Sequence, residues 1–210
     1  MKKLSLIAVI ALMFLAGCTS AYRVHVNGFS EQDQHITNKA SVYVSLDPNS
    51  RNPIFDKEIK TKIEELLKWY DFVPASSPEQ SDYRLAFQTG MSSHQVYGFT
   101  PYYNPYIGFH GGYWHDYYFG YTTYVPYNDT FYDQRLMMKV FTRSRTDDSA
   151  GEKLLWVGEA IISTSGDDFR RTIDYLLVAC FEFFGADTTR QKSLVITEND
   201  PRILRIESER

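Results

Sequence analysis

The sequence predicts an α+β fold: a single, mainly antiparallel sheet of about four or five strands, with two helices on one face and a long aromatic-rich insert. Three observations lead to this prediction. Short segments of the chain alternate apolar and polar residues with the period of a strand. Two longer segments carry apolar residues at helical spacing on one side only. Residues 97–132 are so rich in tyrosine and glycine that they fit neither pattern.

Residues 1–17 have the layout of a cleavable secretory signal peptide. Two lysines precede an apolar run from Leu4 to Leu15, and small residues then lead to a cysteine. The run is shorter than the roughly 20 residues that a transmembrane helix needs. Leu15-Ala16-Gly17-Cys18 resembles the lipobox of bacterial lipoproteins. This resemblance implies cleavage between Gly17 and Cys18, with lipid joined to the Cys18 thiol.

A lipid on Cys18 would decide where the protein resides. The alternative is an ordinary signal peptide followed by an accidental cysteine, but charge, apolar run, small residues and cysteine coincide here. Each buried methylene contributes about 0.8 kcal/mol, and two or more acyl chains anchor stably. Thr19 rather than Asp follows the cysteine. By resemblance to the sorting rule of Gram-negative lipoproteins, this favours the outer membrane, with the domain facing the periplasm.

The charge of the mature chain narrows the classes of partner. Cleavage removes two of the 22 basic residues and none of the 26 acidic ones, so the mature chain has 20 against 26 and a net charge of −6. This charge argues against nucleic acid and against electrostatic attachment to anionic lipid. Cys180 is the other cysteine, so lipidation of Cys18 precludes an internal disulfide. On a predicted helix face, Cys180 is expected to be a buried, inert thiol.

The first half of the anchored domain, which we place at residues 18–185, begins with two strands and a helix. Tyr22–Asn27 alternates weakly, and Ala40–Leu46 is β-branched and alternating. Asn52 and Pro53 are typical of a helix N-cap and first helical position. An apolar stripe then continues to residue 69, which predicts an amphipathic helix over residues 53–69 that covers the sheet.

The second half supplies three more strands and the second helix. Residues 82–89, 134–143 and 153–164 read as strands, and the turn-rich residues between the last two predict a hairpin. Apolar residues on both faces of 154–157 indicate a central strand. The second helix is capped by Ser165 or Asp167 and ends near Gly185. Residues 186–210 are polar, and we expect a loosely held tail.

This order of elements resembles a bacterial lipoprotein family that carries the domain of unknown function 4136. Ala40-Ser41-Val42-Tyr43-Val44, followed by Asn52-Pro53, is similar to the family's first half, and Ser81-Asp82-Tyr83-Arg84-Leu85 to its next strand. Trp156-Val157-Gly158-Glu159-Ala160 is similar to its Trp-x-Gly-x-Ala strand. Trp69-Tyr70-Asp71-Phe72 departs from the family's Gly-Phe. The resemblance implies an envelope α+β domain and brings no catalytic residue.

The insert at residues 97–132 is the most unusual segment. It holds eleven of the sixteen tyrosines, interleaved with glycines and prolines that disfavour a helix, although the segment from Trp114 to Val125 could still form a strand or ribbon. Four interpretations stay open: rings buried on the sheet, a protein-docking surface, a membrane-interface loop, and a platform that stacks on sugar or peptidoglycan. We expect Tyr97 and Tyr132 to pack near the strand ends. The residues expected to reach outward to a partner are Trp114, Tyr117, Tyr118 and Tyr121.

Residues suited to catalysis are sparse. His110, His115 and Asp116 are weak candidates for a zinc or copper site, because their spacing matches no standard metal motif. Asp167 and Asp168 could be paired carboxylates, but acids at a helix start more often cap it. The sequence therefore predicts no enzyme and no cofactor. It predicts an interaction or maintenance module that docks an envelope protein through the insert, with a peptidoglycan platform or a metal-dependent hydrolase as alternatives.

Overall fold

The computed structural model describes residues 20–31, 36–37, 39–107, 118–142 and 152–208. Several predictions fall outside these ranges and stay predictions. They concern the signal peptide with its cleavage site, the lipidation site and the residues of the insert proposed for metal or partner: Gly17, Cys18, His110, Trp114, His115, Asp116 and Tyr117. The backbone of Tyr118 and Tyr121 is described, but their side chains are not.

The described residues form seven strands in one mixed sheet. The strands are β1 Ala21–Ser30, β2 Ser41–Ser45, β3 Val73–Pro74, β4 Tyr83–Ile107, β5 Tyr118–Thr142, β6 Lys153–Thr164 and β7 Lys192–Thr197. Their order in the sheet is β3-β2-β4-β5-β6-β1-β7. Strand β2 is parallel to β3 and β4, whereas β1 is antiparallel to β6 and β7. Strand β6 is internal, as its two apolar faces predict.

Three α-helices lie in the described ranges: α1 Pro53–Trp69, α2 Phe169–Glu182 and α3 Pro201–Glu207. The predicted bounds of α1 are confirmed, and the Asn52 side chain caps it by accepting a hydrogen bond from Phe55 N at 3.2 Å. Helix α2 is capped by Asp168, whose Oδ1 accepts from Arg170 N at 3.1 Å, rather than by Ser165 or Asp167. Gly185, with φ of 76°, follows its end.

The predicted fold class is wrong in three respects: seven strands replace four or five, the sheet is mixed rather than mainly antiparallel, and there are three helices rather than two. The parallel pairs have a simple cause. Helix α1 returns the chain to the end of the sheet from which β2 started, so the strands that follow run beside β2 in the same direction.

The segment 186–210 supplies two of the three elements that the prediction did not count, and the third is the two-residue strand β3. Strand β7 pairs with β1 from Ala21↔Thr197 to Val26↔Lys192. Helix α3 follows, with Asp200 Oδ1 accepting from Arg202 N at 2.9 Å as its cap. The side chains of Ile196, Ile203 and Ile206 are buried in the core. A loosely held tail is therefore the wrong description of residues 186–208.

The chain divides into two compact units. The first comprises residues 1–90, 134–162 and 168–210, and the second comprises residues 91–133 and 163–167. In the first unit the three helices contact one another and cover the buried side chains of the strands. Its core also holds one ion pair: Lys62 Nζ and Asp174 Oδ1 are 2.7 Å apart, and both side chains are 3% exposed.

The Trp-x-Gly-x-Ala segment has a structural role in this unit. Trp156 is 1% exposed and packs against Phe184, and its Nε1 donates to Ala186 O at 3.0 Å. Gly158 faces Gly28 across the β1–β6 pair. A Cβ atom at Gly158 would overlap the Trp156 indole, and one at Gly28 would lie 2.5 Å from Ala186 O. The two glycines therefore leave the space that the indole fills.

Candidate functional site

The second unit consists largely of the insert, which forms two long strands. We use the name aromatic ribbon for residues 91–107 of β4 together with residues 118–133 of β5. Its aromatic side chains are exposed wherever they are described up to Tyr127. The most exposed are Tyr97 at 72%, Phe99 at 70% and Tyr124 at 69%, and the others are Tyr102, Tyr103 and Tyr127. The expectation that Tyr97 packs near a strand end is wrong.

Three contacts within the ribbon indicate one antiparallel register. The ring of His94 stacks on that of Phe131, with centroids 6.0 Å apart. The ring of Tyr127 lies over Gly98, and Thr123 Oγ1 donates to Tyr102 O at 3.3 Å. In each of these three pairs the two residue numbers add up to 225, because one number rises along the ribbon as the other falls. Because the sum is constant, the two strands stay in register, with equal numbers of residues between successive pairs.

Side chains alternate between the two faces of a strand, so the register assigns every described ring to a face. Tyr97, Phe99, Tyr103 and Tyr124 fall on one side, which we name the Tyr97 face. The hydroxyl of Tyr97 donates to Gln95 Oε1, two residues earlier on that face. The opposite side carries Val96, Tyr102, Val125 and Tyr127, and we name it the Tyr127 face. Exposed apolar side chains therefore occupy both faces.

The prolines of the ribbon fit the same register. In an antiparallel pair, alternate residues direct their N–H groups toward the partner strand or away from it. Proline lacks this donor and is tolerated where the N–H would point away. Pro101 faces Tyr124 and Pro126 faces Phe99, so both prolines belong to the Tyr97 face and to one hydrogen-bonding class. At positions of this class the ring nitrogens would face the two outer edges of the ribbon, where a proline hinders the addition of a further strand.

One polar cluster in the second unit joins a serine, an aspartate and a histidine. His94 Nδ1 lies 3.1 Å from Asp133 Oδ2, and Ser163 Oγ donates to Asp133 Oδ1. A nucleophilic triad requires the imidazole between the hydroxyl and the carboxylate, so that it can take the hydroxyl proton. Here the carboxylate lies in the middle. The arrangement ties β4 and β5 to the end of β6 and does not activate Ser163.

The other sequence candidates are structural in the described ranges. Asp168 is a helix cap. Cys180 is fully buried, as predicted, and burial, followed by the charge of Glu159, raises the pKa of its thiol. Among the residues that the structure describes, no group of three His, Cys, Asp or Glu side chains is arranged to hold a metal ion. No helix within those ranges is long and apolar enough to cross a membrane.

Comparison with known proteins gives a structural resemblance. No family model matches the chain, and no curated protein matches it. A PDZ domain protein from Parabacteroides distasonis has a TM-score of 0.45 and 15% identity; the match covers 91% of this chain and 42% of that protein, so the chain spans less than half its length. The PelC dodecamer from Paraburkholderia phytofirmans has a TM-score of 0.41 and 10% identity; the match covers 78% of this chain and 98% of the PelC chain.

A third solved structure bears on the family named above. It is a DUF4136 family protein from Bacteroides thetaiotaomicron, with a TM-score of 0.39 and 11% identity. The match covers 75% of this chain and 91% of that protein. A DUF4136 family protein is thus among the solved structures that this chain resembles. This resemblance assigns no activity, ligand or partner to the chain.

Proposed function

We propose that this chain is a lipid-anchored lipoprotein of the cell envelope. Its aromatic ribbon docks a protein partner, and the protein is not an enzyme. One observation carries the proposal: the described rings of the ribbon, from Tyr97 to Tyr127, are exposed on both of its faces. Tyrosine and other aromatic residues are enriched at protein interfaces, where each contributes a large apolar area and a polar tip.

The size of the exposed surface supports docking. An aromatic side chain buries roughly 150–250 Å². Four rings that are about two-thirds exposed therefore present roughly 500 Å² on the Tyr97 face alone, before its threonines, prolines and amides are counted. A stable interface buries about 800 Å² per partner. An isolated two-stranded ribbon is also marginally stable in water, so a partner packed on one face would stabilise it.

The register indicates how the partner would bind. Pro101 and Pro126 hinder the addition of a strand at the edges, so docking would use a face. The described ribbon carries no lysine or arginine, and its acidic residues are Asp129 and Asp133. Contacts would therefore come from rings and neutral polar groups. We expect the affinity to change little with salt concentration.

The place of action follows from the N-terminal sequence. Lipid on Cys18, with Thr19 after it, would hold the protein at the outer membrane facing the periplasm. Replacing Cys18 by serine should leave the precursor uncut or misplaced, which membrane fractionation detects. Mass spectrometry that finds an unmodified Cys18 on the mature protein would refute the anchor.

A shortened ribbon tests docking directly. The register allows residues 97–128 to be replaced by Asn-Gly, because Val96 and Asp129 face each other and a two-residue turn can join them. We expect lost crosslinks to a partner in cells and an unchanged melting temperature. A control shortened by two pairs fewer, with residues 97–98 and 127–128 retained, closes on a pair of the same hydrogen-bonding class and should melt in the same way.

The same variants separate the competing interpretations. A large fall in melting temperature would show that the rings stabilise the fold and would contradict docking. Unchanged crosslinks with weaker peptidoglycan pull-down would favour the sugar platform. Metal analysis and the double substitution His110→Ala with His115→Ala test the hydrolase alternative: bound metal, or loss of an envelope phenotype at normal protein level, would replace the proposed function.

A further inference from the structure

A cleft of about 360 Å³ opens in the first unit beside the start of β1. This volume is near the lower end of the roughly 300–1,000 Å³ that ligand sites occupy, so it suits a small ligand or the headgroup of a larger one. Three parts of the chain form its walls: the start of β1, the first turns of α2, and the segment from β7 into α3. The lining residues used below are Ser20, Arg170, Arg171, Tyr175, Glu198 and Glu207.

Tyr175 supplies a buried polar group that opens into this cleft. Its side chain is 6% exposed, and its ring lies 4.5 Å from that of Tyr22. Within the described part of the chain, no hydrogen-bond partner of its hydroxyl is found, yet that oxygen is not sealed from solvent. Burial, and then neighbouring charges that include Glu207 and Glu198, raise the pKa of this phenol. The hydroxyl therefore keeps its proton and can donate to an anion in the cleft.

Two arginines at the start of α2 line the same cleft. Arg170 and Arg171 occupy the first turn of α2, which contains no acidic residue. The helix macrodipole disfavours cations at this end, so their placement opposes helix stability. Arg170 lies over the ring of Phe55, with 5.6 Å from its guanidinium carbon to the centroid. Together with the Tyr175 hydroxyl, the two guanidinium groups make one wall of the cleft a receptor for phosphate.

The opposite wall carries carboxylates. Glu198 follows β7 and Glu207 ends α3, and both are exposed. Among the described residues, no ion pair joins Arg171 to either glutamate, although all three line one cleft. Asp174 at the floor is held by Lys62 and is not available to a ligand. The cleft thus presents separated positive and negative groups, which fits a ligand that carries both charges.

The position of the cleft suggests where such a ligand comes from. Ser20 lines the cleft, and it follows the proposed lipid attachment site by two residues in the sequence, so a lipid source is the one to test first. We propose that the cleft binds a phosphoethanolamine headgroup of a membrane lipid, with phosphate at Arg170, Arg171 and the Tyr175 hydroxyl and ammonium at Glu198 and Glu207. This assignment of a lipid source rests on the proposed lipid anchor at Cys18.

Titration of the full-length lipidated protein in neutral detergent micelles tests the chemistry. The probes are phosphoethanolamine, phosphocholine and glycerol phosphate, followed by NMR of labelled tyrosine rings. Phosphoethanolamine should bind saturably and most tightly, since phosphocholine has no N–H donors and glycerol phosphate has no cation. Tyr175→Phe and Arg171→Gln should each weaken binding about tenfold or more. Arg190→Gln, at an exposed arginine outside the cleft, should leave it unchanged.

The outcomes that overturn the proposal are distinct. An absence of saturable shifts, or equal affinity for all three probes, rules out the site. If glycerol phosphate and phosphoethanolamine bind equally, and Glu198→Gln together with Glu207→Gln has no effect, the cleft is only an anion site. That result would refute the proposed recognition of the ammonium group. Melting of each variant identifies any that fails to fold; Tyr175→Phe removes only an oxygen and keeps the test usable.

Vesicles distinguish a lipid source from a soluble one. Hydrogen exchange of residues 169–176 should slow in phosphatidylethanolamine vesicles relative to phosphatidylcholine vesicles. Equal exchange in both, despite binding of free phosphoethanolamine, would overturn the lipid source. Mass spectrometry of Cys18 on the same sample shows separately whether the anchor exists, and the ribbon variants test docking independently.

Discussion

Replacing Gly158 by alanine should destabilise the first unit by about 2 kcal/mol. The new methyl group would overlap the Trp156 indole, which is 1% exposed and has no free space to enter. Overpacking of a filled core costs about 1–3 kcal/mol. A displaced indole would also weaken the hydrogen bond from Nε1 to Ala186 O, worth about 1 kcal/mol. The lower chain entropy of alanine offsets roughly 0.5–1 kcal/mol of this cost.

Urea unfolding and thermal melting measure the effect, and a loss of this size should lower the melting temperature by about 4–8 °C. Gly90→Ala is the matched control, because a Cβ atom there meets nothing within 4 Å. The control should be neutral or slightly stabilising. If Gly158→Ala melts within about 1 °C of the wild type, the indole does not depend on the glycine, and the Trp-x-Gly-x-Ala strand needs another explanation.

Three further predictions concern other parts of the chain. Lys62→Met removes a cation 2.7 Å from the buried Asp174 carboxylate and should cost about 3–5 kcal/mol in urea unfolding; adding Asp174→Leu should recover most of it. The hydrogen-bonded Arg202 guanidinium lowers the pKa of Asp200. This carboxylate therefore stabilises the fold above pH about 4, and the stabilisation is lost as the pH falls through the lowered pKa. Asp200→Asn should flatten the acid side of the curve of stability against pH. Tyr127→Ser uncovers the glycine opposite and should speed hydrogen exchange in the ribbon without changing global melting, whereas unchanged exchange would contradict the register.

Features set by neighbouring residues could be predicted from the sequence. Asn52-Pro53 and the apolar stripe after it determine α1 to the residue, because cap and stripe depend on local chemistry. Strand β6 was predictable for a similar reason. The apolar faces of Leu154–Val157 require cover on both sides, and the strand lies inside the sheet.

Features set by distant pairing could not be predicted in the same way. The parallel pairing of β2 with β4 depends on the path of the intervening helix, which no single segment encodes. Strand β7 has only six residues, and its inward side chains gain their burial from β1, more than 160 residues earlier. A signal for α3 was present in Asp200-Pro201, which has the same cap chemistry as Asn52-Pro53, but seven residues are too few to show a stripe.

The composition of the candidate site could be read from the sequence, but the register of its two strands could not. The glycines and prolines of residues 97–132 read as breakers, although one register accommodates Pro101 and Pro126 at positions where no N–H is needed. That register is a pairing property and is invisible to a reading of one strand. The exposure of Tyr97 was missed for the same reason, since its neighbour across the ribbon is Asn128 and not a core residue.

Burial of side chains stops part-way along β4. Leu85 and Phe87 in β4 alternate buried and less buried positions with their neighbours, as one face of a covered sheet requires. From Gln88 onward the described side chains are exposed or nearly so on both faces, although aromatic residues become more frequent. Core packing within the described chain therefore explains the rings of the first unit, such as Trp156 and Phe181, and leaves those of the ribbon unexplained. Exposed aromatic area of this kind is costly in water unless something covers it, and this cost is our reason for proposing a partner for the ribbon.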